Sequence, residues 1–282
     1  RMPGYIEKWK ELVESKSNGT IKMELFPNSA LGKKTELIDQ MILGEPMITV
    51  ADGAFLADYG VPDFGIFYAP FMFDTWDEEW SAIDSDWYRG LCDELAQKAS
   101  IRVLSSNWVY GARNILSVKP VTLPEDLAGL KLRVSSNDLS ISSFNSLGAS
   151  SVGMDMGDVY QALQAKTIDA VENPIKYLVE DEHILATSMW ICGDTFFQSL
   201  TADQQKILTE AADEAGLYNN ELQEAAEEDA RQKLLDAGVT ITTLTDEQKA
   251  KWIEAGQPFY DIAGETLGWS DGLYDTVKEA AK

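Results

Sequence analysis

TLPEDLAGLKLRVSSND, residues 122–138, is the stretch that sets the fold class. Pro124 and Gly129 bracket a turn. After it Leu130, Leu132 and Val134 alternate with Lys131, Arg133 and Ser135, the period of a strand with one buried face. By alternation alone Arg133 belongs to the solvated face. Downstream, a helix is expected near 138–147, a strand at SSVGM, a helix at GDVYQALQAK and a strand at IDAVENP. Strands and helices in alternation predict an α/β fold whose mostly parallel sheet is covered by helices.

The flanks continue the pattern. YIEKWKELVESK puts Tyr5, Trp9, Leu12 and Val13 on one helical stripe. TIKMELF alternates as a strand through Ile21, Met23 and Leu25, a helix follows at about 34–43, and PMITV reads as a buried strand. The aromatic, proline-broken run VPDFGIFYAPFMF suits a cleft wall or a crossing segment. DEEWSAIDSDWYRGLCDELAQKA reads as one long helix, with IRVLSS and RNILSV as separate strands beyond it. Past a strand at MWICG, Thr201 and Gln204 form a capping box. The helix they start, at about 202–236, would be roughly 50 Å long, enough to brace two lobes. VTITTL is expected as a strand, Thr245 with Gln248 caps another helix, and two short helices close the chain.

A chain of 282 residues is long for one core and natural for two lobes of roughly 100–150 residues. Its 23 Lys and Arg against 47 Asp and Glu give a net charge of −24. That argues against nucleic acid, whose affinity comes from neutralising phosphates, and against an anionic membrane surface. A local arginine cluster can still take a small anion, because charges are screened beyond a Debye length of about 8 Å. No apolar run is long enough to span a membrane, and no targeting segment is present; a signal removed ahead of residue 1 would leave the same appearance. Cys92 and Cys192 decide nothing about redox compartment, and buried free thiols are the expected state.

Gly268-Trp269-Ser270-Asp271-Gly272 matches the G-x-S-x-G pattern of hydrolases, but lies between predicted helices. His183, the sole histidine, precedes the serine, whereas α/β-hydrolases place it after; a polar turn is expected. Glu180 and His183 form an E-x-x-H pair, yet a di-iron site needs two such copies. No Cys/His zinc spacing, Walker loop, G-x-G-x-x-G or EF-hand loop occurs, so neither metal nor cofactor is expected. Three residues remain: Arg113, Arg133 and Asn173, each at or near the end of a predicted strand, where α/β sheets place ligand crevices.

The run from Gly111 to Pro174, with G-A-R, P-E-D-L-A-G-L-K-L-R-V, L-G-A, M-D-M-G-D-V-Y-Q-A-L-Q and E-N-P, resembles the substrate-binding proteins of tripartite ATP-independent periplasmic (TRAP) transporters, DctP type. LFPNSALG, YAPFMF, KYLVEDEH and TADQQKIL extend the resemblance over almost the whole chain. It implies a two-lobed clamshell with a long helix spanning both lobes: residues 1–110 plus 199–238 in lobe one, 111–198 plus 239–282 in lobe two, and the ligand cleft between them. It implies that Arg133 makes the paired salt bridge to a ligand carboxylate, that Arg113 adds a second contact and that Asn173 orients the same group. Ser136 and Met156 fall at ligand-lining positions but differ from the residues common there. Asp52, Phe71, Asn107, Trp108 and Trp190 are further candidate walls. No catalytic residue is implied.

The implied role is capture of a small organic acid outside the cytoplasm, with or without a lipid anchor, and delivery to a sodium-coupled TRAP permease. A polar pocket with tryptophan faces would suit a uronate or aldonate, with a C4-dicarboxylate or keto acid next; the alternative is a carboxylate-sensing module feeding a signalling receptor. Family members usually carry a strand ahead of the first helix. This sequence opens on the helix, so a ligand contact from such a strand would lie outside it.

Overall fold

The computed structural model describes residues 4–27, 30–174 and 184–282. Among them six strands form one sheet: β1 (Ile48–Ala51), β2 (Ile101–Ser117), β3 (Lys131–Val134), β4 (Ser150–Gly153), β5 (Ala170–Pro174) and β6 (Ile184–Gly193), in the order β1-β6-β2-β5-β3-β4. The helices are α1 (Gly4–Lys16), α2 (Lys34–Ile42), α3 (Gly53–Ala57), α4 (Trp76–Ile83), α5 (Asp86–Ala99), α6 (Asp138–Ser146), α7 (Val159–Gln164), α8 (Asp194–Ser199), α9 (Ala202–Asp236), α10 (Asp246–Leu267) and α11 (Leu273–Ala280).

The sheet is less parallel than expected. β3 pairs parallel with β4 and β5, because α6 and α7 supply crossover connections. β1 with β6, and β2 with both β6 and β5, are antiparallel. IRVLSS and RNILSV are one strand of 17 residues, β2. Its register against β6 shifts at Val103/Ser105, Ser105/Trp108 and Val109/Gly111, so bulges bend it instead of a loop breaking it.

Apolar side chains collect into separate cores. The first holds Ile38, Phe64, Phe67, Leu95 and Ile191. The second holds Leu127, Leu130, Leu132, Phe144 and Trp252, with a satellite around Val159 and Val171. A third, of Trp9, Val13, Trp108 and Leu208, seats α1 and α9 on β2. β2 contributes Ile101 to the first core and Ile115 to the second, so it runs from one lobe into the other. Phe259, Ala263, Trp269, Leu273 and Val277 also enter the first core.

α9 lies close along β2. A Cβ on Gly216 would sit 2.1 Å from the Asn107 Oδ1, so only glycine permits that approach. Asn220 accepts from the Val109 N–H at 2.8 Å and donates to the Asn107 carbonyl at 2.8 Å, satisfying β2 backbone where its bulges interrupt the ladder.

Other expectations changed. Residues 21–27 and 239–245, expected as strands, form no strand and join no ladder. The predicted helix 77–99 is two, broken where Ser85 accepts from the Tyr88 N–H at 3.1 Å and caps α5. Where a capped helix and then two short ones are expected after Thr245, the capped helix is α10, of 22 residues, and a single helix, α11, follows it. Both capping boxes form. Cys92 and Cys192 are free thiols, and burial pushes each up to about 12.

Candidate functional site

β2, β5 and β3 are neighbours, and their register brings the three predicted residues together. Arg113 lies opposite Pro174, Asn114 opposite Asn173, and Arg133 opposite Val171, two residues before Asn173. Arg113 is therefore diagonal to Glu172, a spacing long side chains can bridge. Its Nε donates to Glu172 Oε2 at 2.5 Å, and Nη2 donates to the Glu172 carbonyl at 3.4 Å. Both partners are buried. The Arg113 guanidinium also lies 4.9 Å from the centre of the Tyr68 ring, which comes from the first core. Burial opposes the Arg113 charge, and the Glu172 carboxylate outweighs it, so the net pKa shift is upward.

Arg133 is not a solvated strand charge: it is 4% exposed. Its Nε and Nη2 both donate to the Met154 carbonyl, at 2.8 and 2.6 Å. That fixes the plane of the guanidinium and leaves the Nη1/Nη2 edge, two parallel N–H donors, for another acceptor. Desolvation lowers its pKa, Glu172 opposes the shift and Arg113 adds to it. Asn173 accepts from the Tyr110 hydroxyl at 3.4 Å and donates to the Met156 sulfur at 3.4 Å, so Met156 joins the group. The second oxygen of Glu172, Oε1, is buried without a hydrogen-bond partner.

The remaining candidates scatter. Asp52 caps α3, accepting from the Phe55 N–H at 3.1 Å, and pairs with Lys34 at 3.5 Å; its charge is felt at Tyr68. Ser136 is exposed beyond β3, its Cα 3.5 Å from where a Cβ on Gly153 would stand. Phe71 adopts a left-handed backbone, with φ of 55°, and packs on the second core and over Gly256. Asn107 accepts from Ser105 at 2.9 Å and donates to the Asp213 carbonyl at 3.0 Å, which ties it to α9. Trp190 meets Trp9 and Trp108 edgewise, and Trp108 lies tilted against Trp9, with centroids 5.2 to 5.9 Å apart. Asn107, Trp108 and Trp190 thus make packing contacts around the third core rather than standing with Arg133.

Sequence reasoning missed Glu172, Tyr68, Tyr110 and the Met154 carbonyl. Glu172 was within sight, beside Asn173 in E-N-P. A groove of about 540 Å³ opens between α5, β2 and α9, lined by residues including Tyr88, Cys92, Ser106 and Asp213. It does not border Arg133, Arg113 or Asn173. Ser270 sits in the turn between α10 and α11, its N–H donating to Asp63 at 2.8 Å, and not on a strand-to-helix elbow. Glu180 and His183 lie outside the described residues. Among the described residues no cluster of His, Cys, Asp or Glu could hold a metal, and no helix is long and apolar enough to cross a membrane.

Two lobes joined by β2 thus surround a buried guanidinium with a free edge, an arrangement chemically able to hold a small anion. The family model described as bacterial extracellular solute-binding protein, family 7 (DctP) matches residues 2–266, and the chain belongs to that family. The C4-dicarboxylate-binding periplasmic protein DctP of Rhodobacter capsulatus is 30% identical, over 93% of this chain and 82% of its own length. A TRAP periplasmic solute binding protein from Ochrobacterium anthropi, solved with bound L-fuconate, superposes with a TM-score of 0.90 at 32% identity, covering 99% of this chain and 94% of that one. One from Actinobacillus succinogenes with bound L-galactonate gives 0.89 at 32% identity, covering 99% and 96%. This chain is a solute-binding protein of the TRAP, DctP type.

Proposed function

We propose that the ligand is a sugar acid with one carboxylate, an aldonate or uronate, captured outside the cytoplasm and handed to a sodium-coupled TRAP membrane permease. The observation that carries this is the unequal state of the two arginines. Arg113 is committed to Glu172, while Arg133 has no carboxylate partner among the described residues. The pair and Glu172 sum to one uncompensated cation, which matches one carboxylate. In this reading Arg133 grips that group through its free edge, Asn173 orients it, and Arg113 contributes a remaining N–H while its charge stays neutralised.

Glu172 Oε1 supports a hydroxylated ligand, because a buried lone acceptor is costly until a donor such as a sugar hydroxyl or water meets it. A second carboxylate would find Asp52 already holding Lys34, with Asp58 nearby. Lobe one then comprises 1–110 and 199–238, joined by the tail from about 259 because Phe259 to Ala281 share its core. Lobe two is the remainder, and the cleft lies between. The role is binding, without a nucleophile or proton shuttle.

A thermal-shift screen of aldonates, uronates, C4-dicarboxylates and keto acids tests the ligand class, since a ligand specific for the native state raises the melting temperature by mass action. Stabilisation by aldonates or uronates is expected. Stabilisation by C4-dicarboxylates alone would overturn the sugar-acid assignment.

A further inference from the structure

The sheet order puts β1 and β4 at opposite edges, yet one ion pair joins the elements beside them. Lys33 precedes α2, which packs through Ile38 and Met41 in the first core. Asp155 follows β4, whose Val152, with Met154, packs on the satellite core of the other lobe. Lys33 Nζ stands 2.8 Å from Asp155 Oδ2.

Both sides of the contact are positioned. Gly32 has φ of 127°, and a Cβ there would sit 2.7 Å from Glu36 Oε2, the atom that accepts the Lys33 N–H at 2.9 Å. Glycine is what lets the chain present Lys33 at the start of α2. On the other side Asp155 is bonded directly to Met154, whose carbonyl takes both N–H donors from Arg133. Met154 is fixed again by its own N–H, which donates to the Val134 carbonyl at 3.1 Å.

We infer that Lys33 and Asp155 are positioning residues for ligand capture, an ion pair that latches the two lobes across the cleft and is tied to the carboxylate site through the Met154 carbonyl. The capture step rests on the function proposed above; the latch itself does not. An anion on the free edge of Arg133 holds the guanidinium, the guanidinium holds Met154, and Met154 carries Asp155 to Lys33. Ligand can drive closure only through contacts that exist in the closed form, and this arm makes one such contact. The side chains of Lys33 and Asp155 are 69% and 53% exposed, so the bridge is weak and salt-sensitive, which suits a catch that must reopen. Glu36 and Asp158 also face Lys33 and add to its field.

Spin labels at Leu43→Cys on α2's end and Tyr160→Cys on α7, both exposed sites on opposite lobes, read the opening directly. Cys92 and Cys192 label poorly, because burial pushes their thiols up to about 12 and the thiolate is the reactive form. In ligand-free protein the short-distance population is expected to fall as NaCl is raised. It should fall also in K33E or D155K and recover in K33E/D155K. With galactonate as probe, each single variant should release ligand about two- to fivefold faster, the range of an exposed ion pair, and the charge-swapped double should regain slow release. Single variants with unchanged distance distributions, or a double variant that fails to recover, would overturn the latch. If the wild type does not bind galactonate or other sugar acids, the ligand class falls, while the ligand-free distances still decide the latch.

Discussion

Arg133 keeps a charge where burial disfavours it; among the described residues the Met154 carbonyl accepts its hydrogen bonds, and the Glu172 charge opposes the loss of water. A guanidinium does not shed its proton in a protein, so the unneutralised charge persists until an anion arrives. Arg133→Lys retains the charge without the fork; calorimetry should show affinity for a sugar acid lowered about tenfold or more. Glu172 is different in kind. Glu172→Gln leaves Arg113 buried without its counterion, and urea unfolding should show a loss of about 3–5 kcal/mol. Glu79 is fully buried, holds Thr187 at 2.9 Å through Oε1 and leaves Oε2 without a partner; burial raises it to about 8. The folded state then holds a proton that the unfolded chain releases near its ordinary value of 4.5. Its contribution to stability is complete below that value and is lost as pH rises through about 8, at up to about 1.4 kcal/mol per pH unit. Glu79→Gln should flatten that slope in denaturation measured across this window. Strand alternation misassigned Arg133 because β3 has neighbours on both edges and cover on both faces, where charged residues can face inward if something holds them.

At the scale of elements, local chemistry was legible wherever it is self-contained. Thr201 with Gln204 and Thr245 with Gln248 cap the helices their spacing predicted. Segments whose partners are distant in sequence were not. Ile21, Met23 and Leu25 alternate and do pack on the third core, but α1 side chains satisfy the backbone there. Glu14 accepts the Met23 N–H at 3.1 Å and Lys10 donates to the Met23 carbonyl at 2.6 Å, where a neighbouring strand would have done so. The apparent break between IRVLSS and RNILSV is a bulged stretch, with Gly111 at φ of 123°. Its backbone depends on α9 through Asn220. Asn220→Ala should cost about 1–3 kcal/mol and speed hydrogen exchange at the Val109 amide, because two β2 backbone groups lose partners.

Across the whole molecule, the motif run from Gly111 to Pro174 identified the family and the two-lobed fold, because spaced motifs record the architecture that periodicity alone does not. Helical periodicity showed that residues 246–280 have apolar faces; it did not show which lobe they cover, and Trp252 packs in the second core while Phe259 packs in the first. The strand register gathers Arg113, Arg133 and Asn173, the three residues that the sequence singles out, whereas nothing in the sequence points to Tyr68, whose ring reaches Arg113 from the first core. A net charge of −24 repels itself in the compact state, so raising NaCl from about 0.05 to 1 M should increase the melting temperature even as it loosens the Lys33–Asp155 bridge. Opposite responses of stability and closure to one variable separate the charge of the whole surface from that of the cleft.

The central claim is that Arg133 grips the ligand carboxylate, and isothermal titration of Arg133→Ala with the best sugar acid from the screen tests it most directly. The loss of one partner of a desolvated charged pair predicts binding weaker by about 2–5 kcal/mol, with the circular dichroism spectrum unchanged. Near-native affinity in that variant would contradict the account.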